Sequence, residues 1–297
     1  AEGCETCFCL GDWNHHRASI NMYTLQYGLN ALEKLNDAFE KVYFITGNHD
    51  LYYRDKRDIH SVEWAKHLKN VVVVDHFVEE GDCVIAPWLC GDDYKLLKQK
   101  KGKYLFAHLE LPHFYMNAMI EMPDHGEANT DHLGHFDKVF TGHFHKRQAR
   151  KNVWNMGNAF PHNYADAGDD ARGMMVLEWD EEPVFHSWPD QPVYRVYKLS
   201  EVLENPEGLL VKNAHVRVHL DIDISYEESN YIREQLIPQH ELREMSLIPV
   251  KSAEHENDLA PGEISFESVD SIIVDQIKNI ESDFYDKGVL LEIYQSL

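Results

Sequence analysis

Four short groups of polar residues hold the side chains that could do chemistry. They are Gly11-Asp12 with His15, Gly47-Asn48-His49-Asp50, the single His108, and Gly142-His143-Phe144-His145. Carboxylate, carboxamide and imidazole without thiolate suit manganese, iron or zinc in a hydrolytic site better than a closed structural zinc. One bridging carboxylate can hold two cations roughly 3.5–4 Å apart, clamping a phosphate and generating hydroxide at neutral pH. Singly, each group has a plainer reading. A Gly-Asp after a strand is commonly an ordinary turn, GHFH resembles many surface strands, and a lone histidine is commonly a packed core residue. GNHD is more specific, because it crowds a strand end with nothing apolar to bury. Their order along the chain and a shared edge combine these signals into one site.

The elements that would position them alternate strand and helix. Residues 6–10 read as a buried strand. From Ser19, a suitable N-cap, Met22, Leu25, Leu29, Leu32 and Phe39 keep helical steps with one apolar stripe. Residues 42–46 form the next strand, so the unit is a βαβ crossover with parallel strands. The pattern then predicts a helix near 61–68, a strand at 71–74, and a hairpin of 77–78 with 83–87. A Lys-rich helix at 92–101 follows, then strands at 104–107, 138–140, 153–156 and 174–178. In a parallel sheet the polar groups fall at the carboxyl edge, where open α/β folds place their sites. Residues 113–135 lack periodicity and read as a long functional loop with a short helix.

A Pro-rich stretch at 187–194 marks a boundary. Beyond it Val216, Val218, Leu220, Ile222 and Ile224 alternate as a half-buried strand, and Ser225 with Glu228 makes a capping box. A returning strand is expected at 247–250. An acidic connector, 251–265, leads to a helical stripe of Val269, Ile273, Ile277 and Ile280 and a last helix near 290–294.

The whole chain holds 28 Lys and Arg against 51 Asp and Glu, a net charge of −23. That argues against a simple basic DNA-binding module, so contact with a polyanion must use local basic patches or bound cations. HKRQARK (145–151) and KQKKGK (98–103) are the candidate patches. Five cysteines do not suit a secreted disulfide framework, and Cys4, Cys7 and Cys9 read as reduced thiols of a cytoplasmic protein. No apolar run approaches the length of a membrane span.

G-D-x-x-H, G-N-H-D, a strand-end histidine and G-H-x-H, in this order, resemble the calcineurin-like metallophosphoesterases. Within them the chain resembles the SbcD-type nuclease subunits of double-strand-break processing complexes, and more closely the recombination endonuclease subunits of tailed phages. GNHDLYY (47–53), IAPWLC (85–90), FAHLEL (106–111), TGHFHK (141–146) and DDARGMMVLEWD (169–180) support this. The resemblance spans nearly the whole chain and is strongest before residue 190. It implies an α/β fold: a four-layer α/β/β/α sandwich with a small α+β capping domain. The nuclease domain would be 1–190, the capping domain 191–250, and a connector with partner-binding helices 251–297.

By the same resemblance Asp12 would bridge two divalent cations, most simply Mn2+, with Mg2+, Fe or Zn as alternatives. Asn48, His108 and His143 would complete one position, and His145 would belong to the other. His49, oriented by Asp50, would stabilise or protonate at the phosphate, His15 would contact it, and Arg17, Lys146 and Arg147 would offer further phosphate or DNA contacts. DNA would be cut by in-line attack of metal hydroxide on phosphorus. Partners would be a coiled-coil ATPase of the SbcC type and a second copy of the chain, in the bacterial cytoplasm and away from membranes.

The family carries an earlier D-x-H motif that has no counterpart before Asp12, and the expectation is that the chain as given has lost its N-terminal strand and helix. Two other readings stay open: a phosphatase of phosphoproteins or small phosphoesters, and a catalytically incomplete scaffold that binds the ATPase.

Overall fold

The computed structural model describes residues 3–116, 120–124, 129–249, 277 and 287–295. They belong to two compact units, Ala1–Pro249 and Val250–Leu297. In the second, the described element is one helix, α6 (Lys287–Gln295). The expected connector, 251–265, and most of the expected 269–280 stripe lie outside the described residues.

The first unit is mixed α/β. Strands β1 (Thr6–Cys9), β2 (Lys41–Ile45) and β3 (Val71–Val74) form a parallel sheet in that order. A second sheet of six strands has the order β4-β5-β6-β7-β9-β8. Its members are β4 (Val78–Glu80), β5 (Cys83–Ala86), β6 (Tyr104–His108), β7 (Lys138–Gly142), β8 (Gln148–Arg150) and β9 (Val153–Asn155). The inner strands β5, β6, β7 and β9 run parallel, and antiparallel β4 and β8 close the two edges.

The two sheets pack face to face, because the period of two in each strand gives it two apolar faces. In β2, Tyr43 and Ile45 point towards the second sheet and meet Ile85, Tyr104, Phe106 and Phe140. Phe8 of β1 stacks on Phe106 of β6 with ring centroids 3.7 Å apart. The alternate residues Val42 and Phe44 face outwards with Val71 and Val73, under Leu32 of helix α1 (Met22–Ala38). Cys7 and Cys9 pack in this outer core. On the far side of the second sheet, Leu105, Ala107 and Val139 lie beneath Leu97 of the short helix α2 (Asp93–Leu97), Leu133 and Phe136. The strands carrying the polar groups therefore belong to two packed sheets rather than to one.

A hairpin of β10 (Gly173–Val176) and β11 (Val184–Ser187) follows. Then β12 (Val193–Lys198), β13 (Ala214–Leu220) and β14 (Glu244–Pro249) make a parallel sheet with its own core. Helices α3 (Leu199–Glu204), α4 (Pro206–Leu209) and α5 (Tyr226–Gln239) accompany it. Ser225 and Glu228 form the expected capping box on α5.

Several local expectations change. Asn21, not Ser19, caps α1, its side chain accepting from the Tyr23 N–H at 2.8 Å. Glu63–His67 is a 3-10 helix, and the Lys-rich helix stops at Leu97. The alternating strand ends at Leu220, while the returning strand β14 runs parallel to β13, as a βαβ unit requires. Strands β8 and β11 had no clear alternation and were not expected. Among the described residues no helix is long and apolar enough to cross a membrane.

Candidate metal centre

Each polar group leaves the carboxyl end of a parallel strand: Asp12 after β1, Asn48 after β2, His108 at the end of β6 and His143 just after β7. Because two sheets pack face to face, two of these ends come from each, and they meet. His108 Nδ1 donates to the Leu10 carbonyl at 2.6 Å, which leaves the Nε2 lone pair free to face the centre. That Nε2 lies 3.3 Å from Asp12 Oδ2, 3.1 Å from Asn48 Oδ1 and 3.3 Å from His143 Nδ1. His143 Nδ1 is in turn 3.1 Å from Asn48 Oδ1, while its Nε2 reaches Glu110 Oε2 at 3.3 Å.

Four lone-pair atoms thus converge with few protons to share among them. Ligands at ~2.1 Å from a cation stand ~3.0 Å apart at right angles and ~3.4 Å apart in a tetrahedron. The observed 3.1–3.3 Å spacings fall between these values. Asp12, His108 and His143 offer donor atoms within 4.8 Å of one another, so the residues present fit a divalent cation.

The glycines of the motifs explain how the groups come so close. A Cβ on Gly47 would stand 2.2 Å from Asp12 Oδ1, and one on Gly11 would stand 2.4 Å from His108 Nδ1. One on Gly142 would stand 2.4 Å from the Leu10 carbonyl. Asp12 and His143 themselves hold positive φ, 59° and 94°. Such strain costs about 1–3 kcal/mol per residue and is commonly kept at functional sites.

Electrostatics follow from this crowding. Burial works against an ionised Asp12, but His108 and the His49 N–H that donates to Oδ1 at 2.8 Å outweigh it and hold the carboxyl at about 2. Burial likewise disfavours a charged His108, yet the Asp12 carboxylate raises its pKa overall. Fully buried Asp50 is pushed up to about 6 by burial, against the N–H of Gly47 and with the charge of Asp12 adding to the rise.

Asp50 does not orient His49. Its carboxylate accepts the backbone N–H groups of Asp12 at 2.8 Å, Gly47 at 2.9 Å and Asn14 at 3.2 Å, tying the loops after β1 and β2 together. The His49 ring is set instead by its Nδ1 donating to the His15 carbonyl at 2.8 Å, and it stacks on His15 at 5.3 Å. His15 is exposed, and Arg17 keeps Nη1 buried without a hydrogen-bond partner. His145 is exposed outside the cluster, with the ring of His162 6.0 Å away.

The basic patches are largely engaged elsewhere. Arg147 lies 3.6 Å from the centroid of Phe185 and donates to the Ala171 carbonyl, and Lys146 lies over Tyr115. In the second patch Lys100 pairs with Glu79 and Lys103 with Asp180. Two contributors went unrecognised in the sequence. Trp88 walls the centre, 5.2 Å from His143 and 5.8 Å from His108, and Glu110 fixes the outer nitrogen of His143. The visible signal was their place in strand-end stretches, IAPWLC and FAHLEL.

No family model matches the chain. The chain is similar to exonuclease subunit 1 of Enterobacteria phage T4, 29% identical over 189 residues, which is 61% of this chain and 55% of that protein. It therefore spans about half the length of the curated relative it matches.

Proposed function

We propose that the chain is a metal-dependent phosphodiesterase that cuts DNA, of the calcineurin-like metallophosphoesterase type. The observation that carries this reading is the convergence of Asp12, Asn48, His108 and His143 donor atoms at 3.1–3.3 Å. The similarity to a phage exonuclease subunit supports DNA as the substrate. The two packed sheets with helical layers support the four-layer sandwich of that type.

Divalent cations held here, Mn2+ first among the candidates, would supply an activated water and neutralise phosphate charge. Asp12 would serve both cations, and Asn48, His108 and His143 would hold the first. Asp12 and His145 would be the residues of the second. His49, a ring beside the cluster but outside it, would donate to a phosphate oxygen or leaving group from Nε2 as an imidazolium, since Nδ1 already donates to the His15 carbonyl. His15, stacked on it, gives that face a second imidazole. Trp88 lines one side of the cluster, against His108 and His143.

As a subunit, the chain would work with a coiled-coil ATPase, and with a second copy of itself, in the bacterial cytoplasm. A scaffold reading has one observation in its favour: among the described residues, the cluster of Asp12, His108 and His143 does not include His145.

The test is cleavage of single- and double-stranded DNA against p-nitrophenyl phosphate, with Mn2+, Mg2+, Fe2+ or Zn2+ and after chelation. Metal-dependent DNA cleavage is expected. Monoester hydrolysis without DNA cleavage would move the assignment to a phosphatase. Partner binding with fewer than two metals and no cleavage would leave a scaffold.

A further inference from the structure

The segment after β9 crosses directly over the GHFH backbone. Gly157, at φ 69°, has no room for a side chain: a Cβ would stand 2.6 Å from the Arg147 nitrogen and 2.7 Å from the His145 carbonyl. The Asn158 N–H donates to that same His145 carbonyl at 2.9 Å. A few residues on, the His162 N–H donates to Asp166 Oδ2 at 2.9 Å, and Asn158 Nδ2 approaches the same oxygen at 3.4 Å. Asp166 is buried and is balanced by fully buried Arg172, whose Nη2 donates to Oδ1 at 2.9 Å. One buried carboxylate therefore ties both flanks of a short loop whose tip is Phe160.

Phe160 is 45% exposed, although Asn158 and His162 on either side of it are tied down. Its ring makes a T-shaped contact with His162 at 5.2 Å, and His162 meets His145 at 6.0 Å, a run of rings leading out from the GHFH turn. A singly exposed apolar side chain is ordinary. An aromatic one, anchored to a candidate metal-binding residue by its own loop and left open to solvent, has the makings of a stacking platform.

We infer that Phe160 stacks on a nucleobase next to the scissile phosphate and so favours DNA whose bases are unpaired. This deepens the nuclease reading and rests on it. Stacking tolerates any base, because every base has a π-face, which suits a nuclease without sequence preference. A paired duplex keeps its bases stacked on one another, so the contact would be made to single strands or frayed ends.

The experiment uses the full chain with Mn2+ and a single-stranded oligonucleotide in which one linkage alone is a natural phosphodiester, the rest being methylphosphonates. Phe160→Leu keeps apolar bulk and removes the ring; Phe160→Trp keeps a ring. The leucine variant should raise KM about tenfold with kcat little changed, as expected for one lost base–aromatic stack. The tryptophan variant should restore it. Removing the base that flanks the cleavable linkage should cost the wild type the same factor and the leucine variant nothing further.

An unchanged KM in the leucine variant, or two losses that multiply when combined, overturns the inference while leaving the nuclease reading standing. So does a tryptophan variant as impaired as leucine. If the wild type does not cleave this oligonucleotide at all, the nuclease reading falls and the inference with it.

Discussion

The sheet β1–β3 and the sheet β12–β14 are built alike: three parallel strands, each sheet with its own apolar core. Both carry an acid just beyond a strand's carboxyl end, Asp12 after β1 and Asp221 after β13. Their fates differ. Asp221 accepts from Ser200 N at 3.0 Å and Ser200 Oγ at 2.5 Å, which satisfies the first turn of α3. Asp12 meets His108, which in turn meets Asn48 and His143, because a second sheet packs against its own and brings in β6 and β7. A strand-end acid is thus a helix cap in one sheet and part of a candidate metal centre in the other. What separates them is the convergence of a second set of strand ends.

The strongest way to break this comparison is at Asp12 itself. Asp12→Asn should abolish stoichiometric Mn2+ binding at the cluster and lower DNA cleavage by about 10³-fold or more, a loss of the size seen when a key charge is removed from an active site. Calorimetric titration with Mn2+ together with cleavage rates checks it, and wild-type metal binding in the variant would remove Asp12 from the site. Next comes Asp50→Ala, which strands buried backbone donors of Asp12, Gly47 and Asn14. About 1–3 kcal/mol is lost for each donor left unsatisfied, so the variant should be among the least stable single substitutions in the chain. Urea unfolding measures this, and a near-neutral result would deny Asp50 its role as a tie between loops.

Smaller, and aimed at the outer layer, is Glu110→Gln. Residues that orient a metal-ligating histidine are worth about 10–100-fold in metal affinity, so Mn2+ binding should weaken by that factor while the fold stays intact. The same site should be pH-sensitive. His108 has a raised pKa, so below that value a proton occupies Nε2 and the cation must displace it. Mn2+ binding should therefore weaken as the pH falls and release protons, which titrations in buffers of different ionisation enthalpy would reveal. Affinity independent of pH would show that the cation binds elsewhere. The smallest effect belongs to the other sheet: Asp221→Ala removes an exposed tie to the first turn of α3, so it should lower the urea midpoint only slightly and leave metal binding untouched.

Much of the candidate site was legible because its glycines and ligands lie next to each other in sequence. Gly47-Asn48-His49-Asp50 and Gly142-His143 each place a close approach and a polar side chain together, and strand-to-loop transitions are marked by the end of an apolar run. Asp50 was recognised as a site residue, but its task was not, since backbone donors 36 and 38 residues away leave no pattern in a sequence. Lys146 and Arg147 suggested a DNA-contacting patch by charge alone, and only the nearby Tyr115 and Phe185 rings show where they are spent.

By itself the sequence determined the strand ends, the apolar periods of two and 3.6 that bury them, and the kinds of donor available. These are local properties, set by side-chain chemistry and backbone geometry over a few residues. Tertiary structure alone decided that the strand ends come from two packed sheets and that His108 turns its Nε2 towards Asp12. It also decided that Glu110 and Trp88 enclose His143, and that Gly157 carries Phe160 out beside His145 and His162. Those arrangements join residues far apart in the chain, and their energies exist only once the sheets have closed on each other.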